Sequence, residues 1–303
     1  MAPTPLRVGL VASRLHRDGR DAALIRLLAS IEPTLRETLR PELLVVGQTH
    51  DAILHSGVLQ GYPGLLRLPA RRDGGLIHLV SRVVSDDPAR RLDVVIYLLD
   101  PDDPTSVFPE GQALKRECVI HETPFVSTVA HAREWFELAA VAAGAAPDPA
   151  LDAWFDFARQ TVALIAHDAR KDALMHFVRD AFPFFDRFGS RIATGTTGSL
   201  LNGLAESLRE PSAQPWVRRY RSGPLGGDAE IALEVLEDRC QRIVFFEDPH
   251  VARQHEADIQ LLERSARIAT MRTMCISDNA SAAQWIERCA LRSEARSASA
   301  RGV

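Results

Sequence analysis

Arg191-Ile192-Ala193-Thr194-Gly195-Thr196-Thr197-Gly198 reads as a short strand that breaks into a loop of glycines and hydroxyls, with a helix from about position 199. That loop chemistry suits a phosphate group. Glycines let backbone N–H groups come close to an anion, threonine hydroxyls donate, and the start of a helix adds partial positive charge. Thr194, Gly195, Thr196 and Thr197 are therefore candidate phosphate contacts, against the plainer reading of a strand-to-helix turn with a good N-cap.

Working outward, Val162-Ala163-Leu164-Ile165-Ala166 precedes this stretch, and Ile243-Val244-Phe245-Phe246 and Met274-Cys275-Ile276 follow it. Helical patterns begin near positions 171, 198, 228, 258 and 280. The first half is built alike. Its apolar runs are Val8-Gly9-Leu10-Val11-Ala12, Leu43-Leu44-Val45-Val46, Val94-Val95-Ile96-Tyr97-Leu98-Leu99 and Phe125-Val126-Ser127. Helical spacing places a helix through Leu24, Leu27 and Leu28, and others over 76–84, 111–116 and 130–138. Continuous apolar runs mark strands buried on both faces. Strands alternating with helices predict a parallel sheet covered on both sides.

The halves also match each other at an offset of about 150 residues, one ordinary domain length. Gly47 faces Gly195, Gly74-Gly75 faces Gly226-Gly227, Asp100-Pro101 faces Asp248-Pro249, and Trp135 faces Trp285. An internal duplication is expected, with an alanine-, glycine- and proline-bearing linker near 145–158. The expected fold is α/β: two tandem three-layer α/β/α domains over 1–145 and 155–292, each with a mainly parallel sheet. The small, charged residues 293–303 are expected to form a disordered tail.

The chain of 303 residues carries a net charge of −4, which supplies no field toward nucleic acid or membrane. With 46% hydrophobic residues it has ample material for its cores. Cys118, Cys240, Cys275 and Cys289 show no ligand spacing with histidine, so no metal is expected, and they read as reduced thiols of a cytosolic protein. No secretory signal is visible, and no apolar stretch approaches the ~18 residues a membrane span needs. A cytoplasmic protein is the expectation.

Parallel sheets bind ligands beyond the carboxyl ends of their strands. His167, Asp168, Thr194, Ser222 and Asp248 all fall there and can converge on one crevice. Lys171, four residues after His167, is a compact cation suited to phosphate, or a solvated surface lysine. Asp168 could orient His167 or Lys171, or cap the helix. Ser222 and Gly223 offer a hydroxyl and an N–H at a tight backbone, while Asp228 presents a carboxylate at a helix start, where an N-cap is the competing role. His255 and Asp258, three apart, share a face if that segment is helical.

His167-Asp168-Ala169-Arg170-Lys171, the Thr-Gly-Thr-Thr-Gly loop, Ser222-Gly223-Pro224-Leu225-Gly226-Gly227-Asp228, and Asp248-Pro249 with His255 and Asp258 together resemble the methylglyoxal synthase family over roughly 160–290. The resemblance implies conversion of dihydroxyacetone phosphate to methylglyoxal and inorganic phosphate, without a cofactor. It implies Asp228 as catalytic base, His255 on the substrate oxygens and Asp258 in proton transfer. His167, Asp168, Lys171, Thr194, Gly195, Thr196, Thr197, Ser222 and Gly223 become the substrate and phosphate pocket. The run Gln254-His255-Glu256-Ala257-Asp258 lacks the prolines usual there, which puts loop geometry in doubt. The competing function is a phosphorylated-metabolite sensor of the same fold, which would need no acid–base set. The family assembles single domains into hexamers, so a homo-oligomer is implied, as a trimer with pseudo-hexameric packing. The first half places Leu76 opposite Asp228, Val107 opposite His255 and Glu110 opposite Asp258, and is expected to be a degenerate copy without catalysis.

Overall fold

All six residues of β1 (Arg7–Ala12) are buried, as a strand at the middle of a covered sheet must be. Its side chains alternate between two layers: Val8, Leu10 and Ala12 enter one core and Val11 the other. The computed structural model describes residues 5–102, 109–210, 212–250 and 256–301. They form two units, Met1–Pro147 with Arg288–Val303, and Asp148–Glu287.

In the first unit β1 is followed by α1 (Arg14–Arg17), α2 (Ala23–Pro33), β2 (Glu42–Val46), α3 (Gly47–Ser56), β3 (Leu65–Leu68) and α4 (Gly75–Val83). Then come β4 (Val94–Leu98), α5 (Pro109–Ile120), β5 (Phe125–Val126) and α6 (Val129–Ala142). The strands form one sheet in the order β3-β2-β1-β4-β5, and every pairing is parallel. One core joins β1 to α2 and α6 through Leu24, Leu28, Trp135 and Phe136; the other joins it to α4 and α5 through Leu76, Leu79 and Leu114.

The second unit runs β6 (Thr161–Ala166), α7 (Lys171–Asp180), α8 (Phe182–Phe185), β7 (Ser190–Ala193), α9 (Gly195–Leu208), β8 (Arg218–Arg219) and α10 (Gly227–Leu236). It continues with β9 (Arg242–Phe246), α11 (Glu256–Ile268), β10 (Met274–Ile276) and the start of α12 (Asn279–Arg301). Its sheet order, β10-β9-β6-β7-β8, repeats that of the first unit five strands later, again all parallel. Ile165, Ile243 and Phe245 share a core with Ile231 and Val235 of α10 and Leu262 of α11. On the opposite face, the Phe177 ring of α7 lies 5.3 Å from that of Phe246. In both units the connections leave a crevice where the strand order reverses, between β1 and β4 and between β6 and β9.

The turns repeat as well. Gly74 and Gly226 hold φ of +87° and +93°, a region that favours glycine. The next residues, Gly75 and Gly227, sit where a Cβ would collide with the carbonyl oxygens of Pro69 and Arg221.

The structure departs from the sequence expectation in three places. Residues 288–292, expected in the second domain, count with the first unit, while the two units meet between Pro147 and Asp148. Residues 293–301, expected to be disordered, continue α12; alanine, arginine and glutamate are strong helix formers. This helix is anchored by Arg292, whose Nε donates to Glu137 Oε1 at 2.9 Å with both side chains at least nine-tenths buried. Arg292→Met would take this cation from the buried Glu137 carboxylate and destabilise the unit. The expected outcome is a lower urea midpoint for the unfolding of the first unit, followed through Trp135 fluorescence. Lastly, α9 begins at Gly195, not near 199, so the expected phosphate loop is a helix start. Among the described residues no helix is long and apolar enough to cross a membrane.

Candidate active site

At the carboxyl ends of β6, β7 and β9 the second unit encloses a cavity of about 520 Å³. Eight of the residues expected to act line it: His167, Asp168, Lys171, Thr194, Thr196, Ser222, Gly223 and Asp228. They come from the loops after β6, β7 and β8, separated by up to about sixty residues and brought together because these three strands are successive neighbours in the sheet.

His167 follows the last residue of β6. Its backbone N–H donates to Phe246 O at 3.1 Å, and its Nδ1 accepts the Asp248 backbone N–H at 2.7 Å. With Nδ1 accepting, the neutral ring carries its proton on Nε2. The ring stands edge-on to Phe245, 4.9 Å between centroids. Arg170 Nε donates to Glu247 O at 3.2 Å, so two bonds tie the loop after β6 to the loop after β9. The Asp248-Pro249 stretch thus positions His167 by its backbone.

Lys171 opens α7. Its Nζ donates to Asp168 Oδ1 at 2.5 Å; the lysine side chain is 18% exposed and the aspartate 94%. The cation is held in the wall, and its carboxylate partner lies at the solvent side.

Thr194 caps α9 in an extended conformation, φ −68° and ψ 158°, and Gly198 N–H returns to its carbonyl at 2.7 Å. The N–H groups of Gly195, Thr196 and Thr197 then have no acceptor within the helix. Gly195 N–H is taken by Arg221 O at 2.8 Å. Gly195 therefore does not supply the expected donor; a Cβ there would sit 2.9 Å from Ser222 N, so its smallness brings the Thr194 and Ser222 loops together. Thr197 offers no side chain to the cavity: it is fully buried, its Oγ1 has no hydrogen-bond partner, and it is not part of the lining. A helix start leaves its third side chain facing inward, so what Thr197 can offer an anion is its N–H.

Asp228 is the second residue of α10 and half-buried. A Cβ on Gly223 would lie 2.6 Å from Asp228 Oδ2, so the missing side chain is what lets this carboxylate lie over the Ser222-Gly223 turn. His255 lies outside the described residues, as does the side chain of Asp258. Sequence reasoning missed the apolar wall of Ile165, Ala166, Phe245 and Leu262, together with Pro224. The signal available was position alone: Phe245 lies next to the end of a predicted strand. Among the described residues, no three His, Cys, Asp or Glu side chains converge as a metal site would need. The four cysteines are buried and unpaired with one another.

Comparison with known proteins brings up methylglyoxal synthases. A methylglyoxal synthase of Carboxydothermus hydrogenoformans is 39% identical over 130 residues, 42% of this chain and 95% of that protein. One of Borreliella afzelii is 42% identical over 103 residues, 34% of this chain and 74% of that protein. Among solved structures, methylglyoxal synthase from Elizabethkingia anophelis NUHP1 is 30% identical and covers 40% of this chain and 86% of its own, with a TM-score of 0.29. No protein-family model matches the chain. Relatives this similar over most of their own length show that this chain belongs to the methylglyoxal synthase family.

Proposed function

We propose that the second unit is a methylglyoxal synthase, a lyase that takes dihydroxyacetone phosphate to methylglyoxal and inorganic phosphate. The observation that carries this reading is that the Asp228 carboxylate shares one cavity with Lys171 and the start of α9. Phosphate is held by the Lys171 ammonium, the Thr196 and Thr197 N–H groups and the Ser222 hydroxyl. Asp228 removes a proton from the carbon beside the substrate carbonyl and leaves an enediolate. The C–O bond to phosphate then breaks, the enediolate electrons forming the new double bond, and the resulting enol takes a proton on carbon. His167, held by the Asp248 N–H, borders the substrate in the wall of the cavity. His255 and Asp258 keep the roles implied by the resemblance, contact with the substrate oxygens and proton transfer. The wall of Phe245 and Leu262 keeps the site poor in water, which strengthens each of these contacts.

Gly223→Ala tests the placement of the base. The new methyl would occupy the space of Asp228 Oδ2 and push the carboxylate off its turn. A displacement near 1 Å costs about 10²-fold in rate. The expected outcome is that loss in kcat with an unchanged thermal unfolding curve.

The function itself is tested by incubating the purified chain with dihydroxyacetone phosphate under steady-state conditions. Methylglyoxal and phosphate released in equal amounts support an enzyme. Saturable binding without either product would make the unit a sensor of phosphorylated metabolites.

A further inference from the structure

In the first unit Ser13 and Arg17 stand as His167 and Lys171 do in the second: one just past the central strand, the other four residues on. The cation is retained but turned. Arg17 is 9% exposed; its Nη1 donates to Ala12 O at 2.7 Å and its Nη2 to Gln48 Oε1 at 3.4 Å. The guanidinium is thereby drawn down onto the end of β1 and the first turn of α3. Leu76, buried at 3% exposure, takes the second position of α4, where α10 has Asp228.

Beside Arg17 opens a different cavity, of about 460 Å³. Arg17, Asp18 and Arg20 wall it on one side, and Gln48, Asp51 and His55 of α3 on the other. Both carboxylates are already committed to arginines. Asp18 meets Arg14 Nε at 3.2 Å and Arg17 Nε at 3.4 Å. Asp51 accepts two bonds from Arg67, each 3.1 Å, and this guanidinium holds its carboxyl below the usual range. Arg20 is exposed and has no partner among the described residues. The lining itself carries Arg17 and Arg20 against Asp18 and Asp51; Arg14 and Arg67, which pair with those aspartates from outside the lining, leave the group with two positive charges in excess.

We propose that this cavity binds a phosphate-bearing small metabolite, which it holds without converting. A nearly buried guanidinium with a second, unpaired one at the rim matches the fork geometry of a phosphate. The excess positive charge disfavours a cationic ligand, and the volume fits a sugar phosphate and is ample for phosphate alone. Gln48, His55 and Ser56 are placed for the hydroxyls of such a ligand. Both carboxylates being held by arginines, neither is placed to act as a base.

Glycerol 3-phosphate is the probe, since without a carbonyl it cannot be turned over in the second unit. Calorimetric titration of the full-length Lys171→Met chain should still show one site per chain for it and none for glycerol. Arg20→Ser in that background should weaken this site about tenfold. Ala52→Trp, which fills the cavity from α3, should abolish it. Absence of binding to the Lys171→Met chain, or binding unaffected by both added substitutions, would overturn the proposal. If instead Lys171→Met removes no site from the unsubstituted chain while Ala52→Trp removes one, the phosphate role of Lys171 fails and this proposal stands.

Discussion

Asp228→Asn should lower kcat by about 10²–10⁴, the usual contribution of a general base. That range corresponds to roughly 3–5 kcal/mol of barrier. Asparagine keeps the size of the side chain and its fit over Gly223, so substrate binding should change little and KM should stay within a few-fold. The loss should also be total for the chain. The first unit has Leu76 at the matching place, and a leucine cannot accept a proton. Residual turnover above this range would mean either that another group is the base or that the first unit is active.

Lys171→Met should lower kcat/KM by about 10–150-fold, the worth of a charge-assisted hydrogen bond of 1.5–3 kcal/mol. Its effect should fall mainly on KM, because the phosphate is held before and after it leaves. The removal also takes a cation from beside a carboxylate: Asp168 now accepts from Lys171 at 2.5 Å, and without the lysine it stands near the incoming phosphate as a like charge. Asp168→Asn in the same chain should therefore recover part of the loss. A double variant no better than the single one would show that Asp168 already turns away into solvent, where 94% of its side chain lies.

How much of this was legible in the sequence depends on burial. β1, β6 and β9 are buried throughout or nearly so, and their unbroken apolar runs gave them away. β3 and β8 were not read, because they are sheet edges. Leu66 is 39% exposed, and β8 is two exposed arginines, a composition that blunts an edge and carries no alternation. α3 was missed for a related reason: Gly47, Gln48, Thr49 and His50 make a polar first turn that looks like a loop. The candidate site was legible as residue types and not as geometry. Lys171, Ser222 and Asp228 do meet around one cavity. The sequence places Gly195 and Thr197 as donors in a loop of glycines and hydroxyls. The helix that starts at Gly195 instead spends one on close packing and buries the side chain of the other. The wall of Phe245 and Leu262 depends on how β9 and α11 come together, which no local pattern encodes.

The most direct measurement is a single turnover followed by phosphorus and proton NMR, with the unsubstituted chain in excess over dihydroxyacetone phosphate. The phosphate-ester resonance should be replaced by inorganic phosphate at the same rate as the methyl signal of methylglyoxal grows. A phosphate-ester resonance that shifts or broadens on the protein yet persists undiminished, with no methyl signal, would contradict the proposed function.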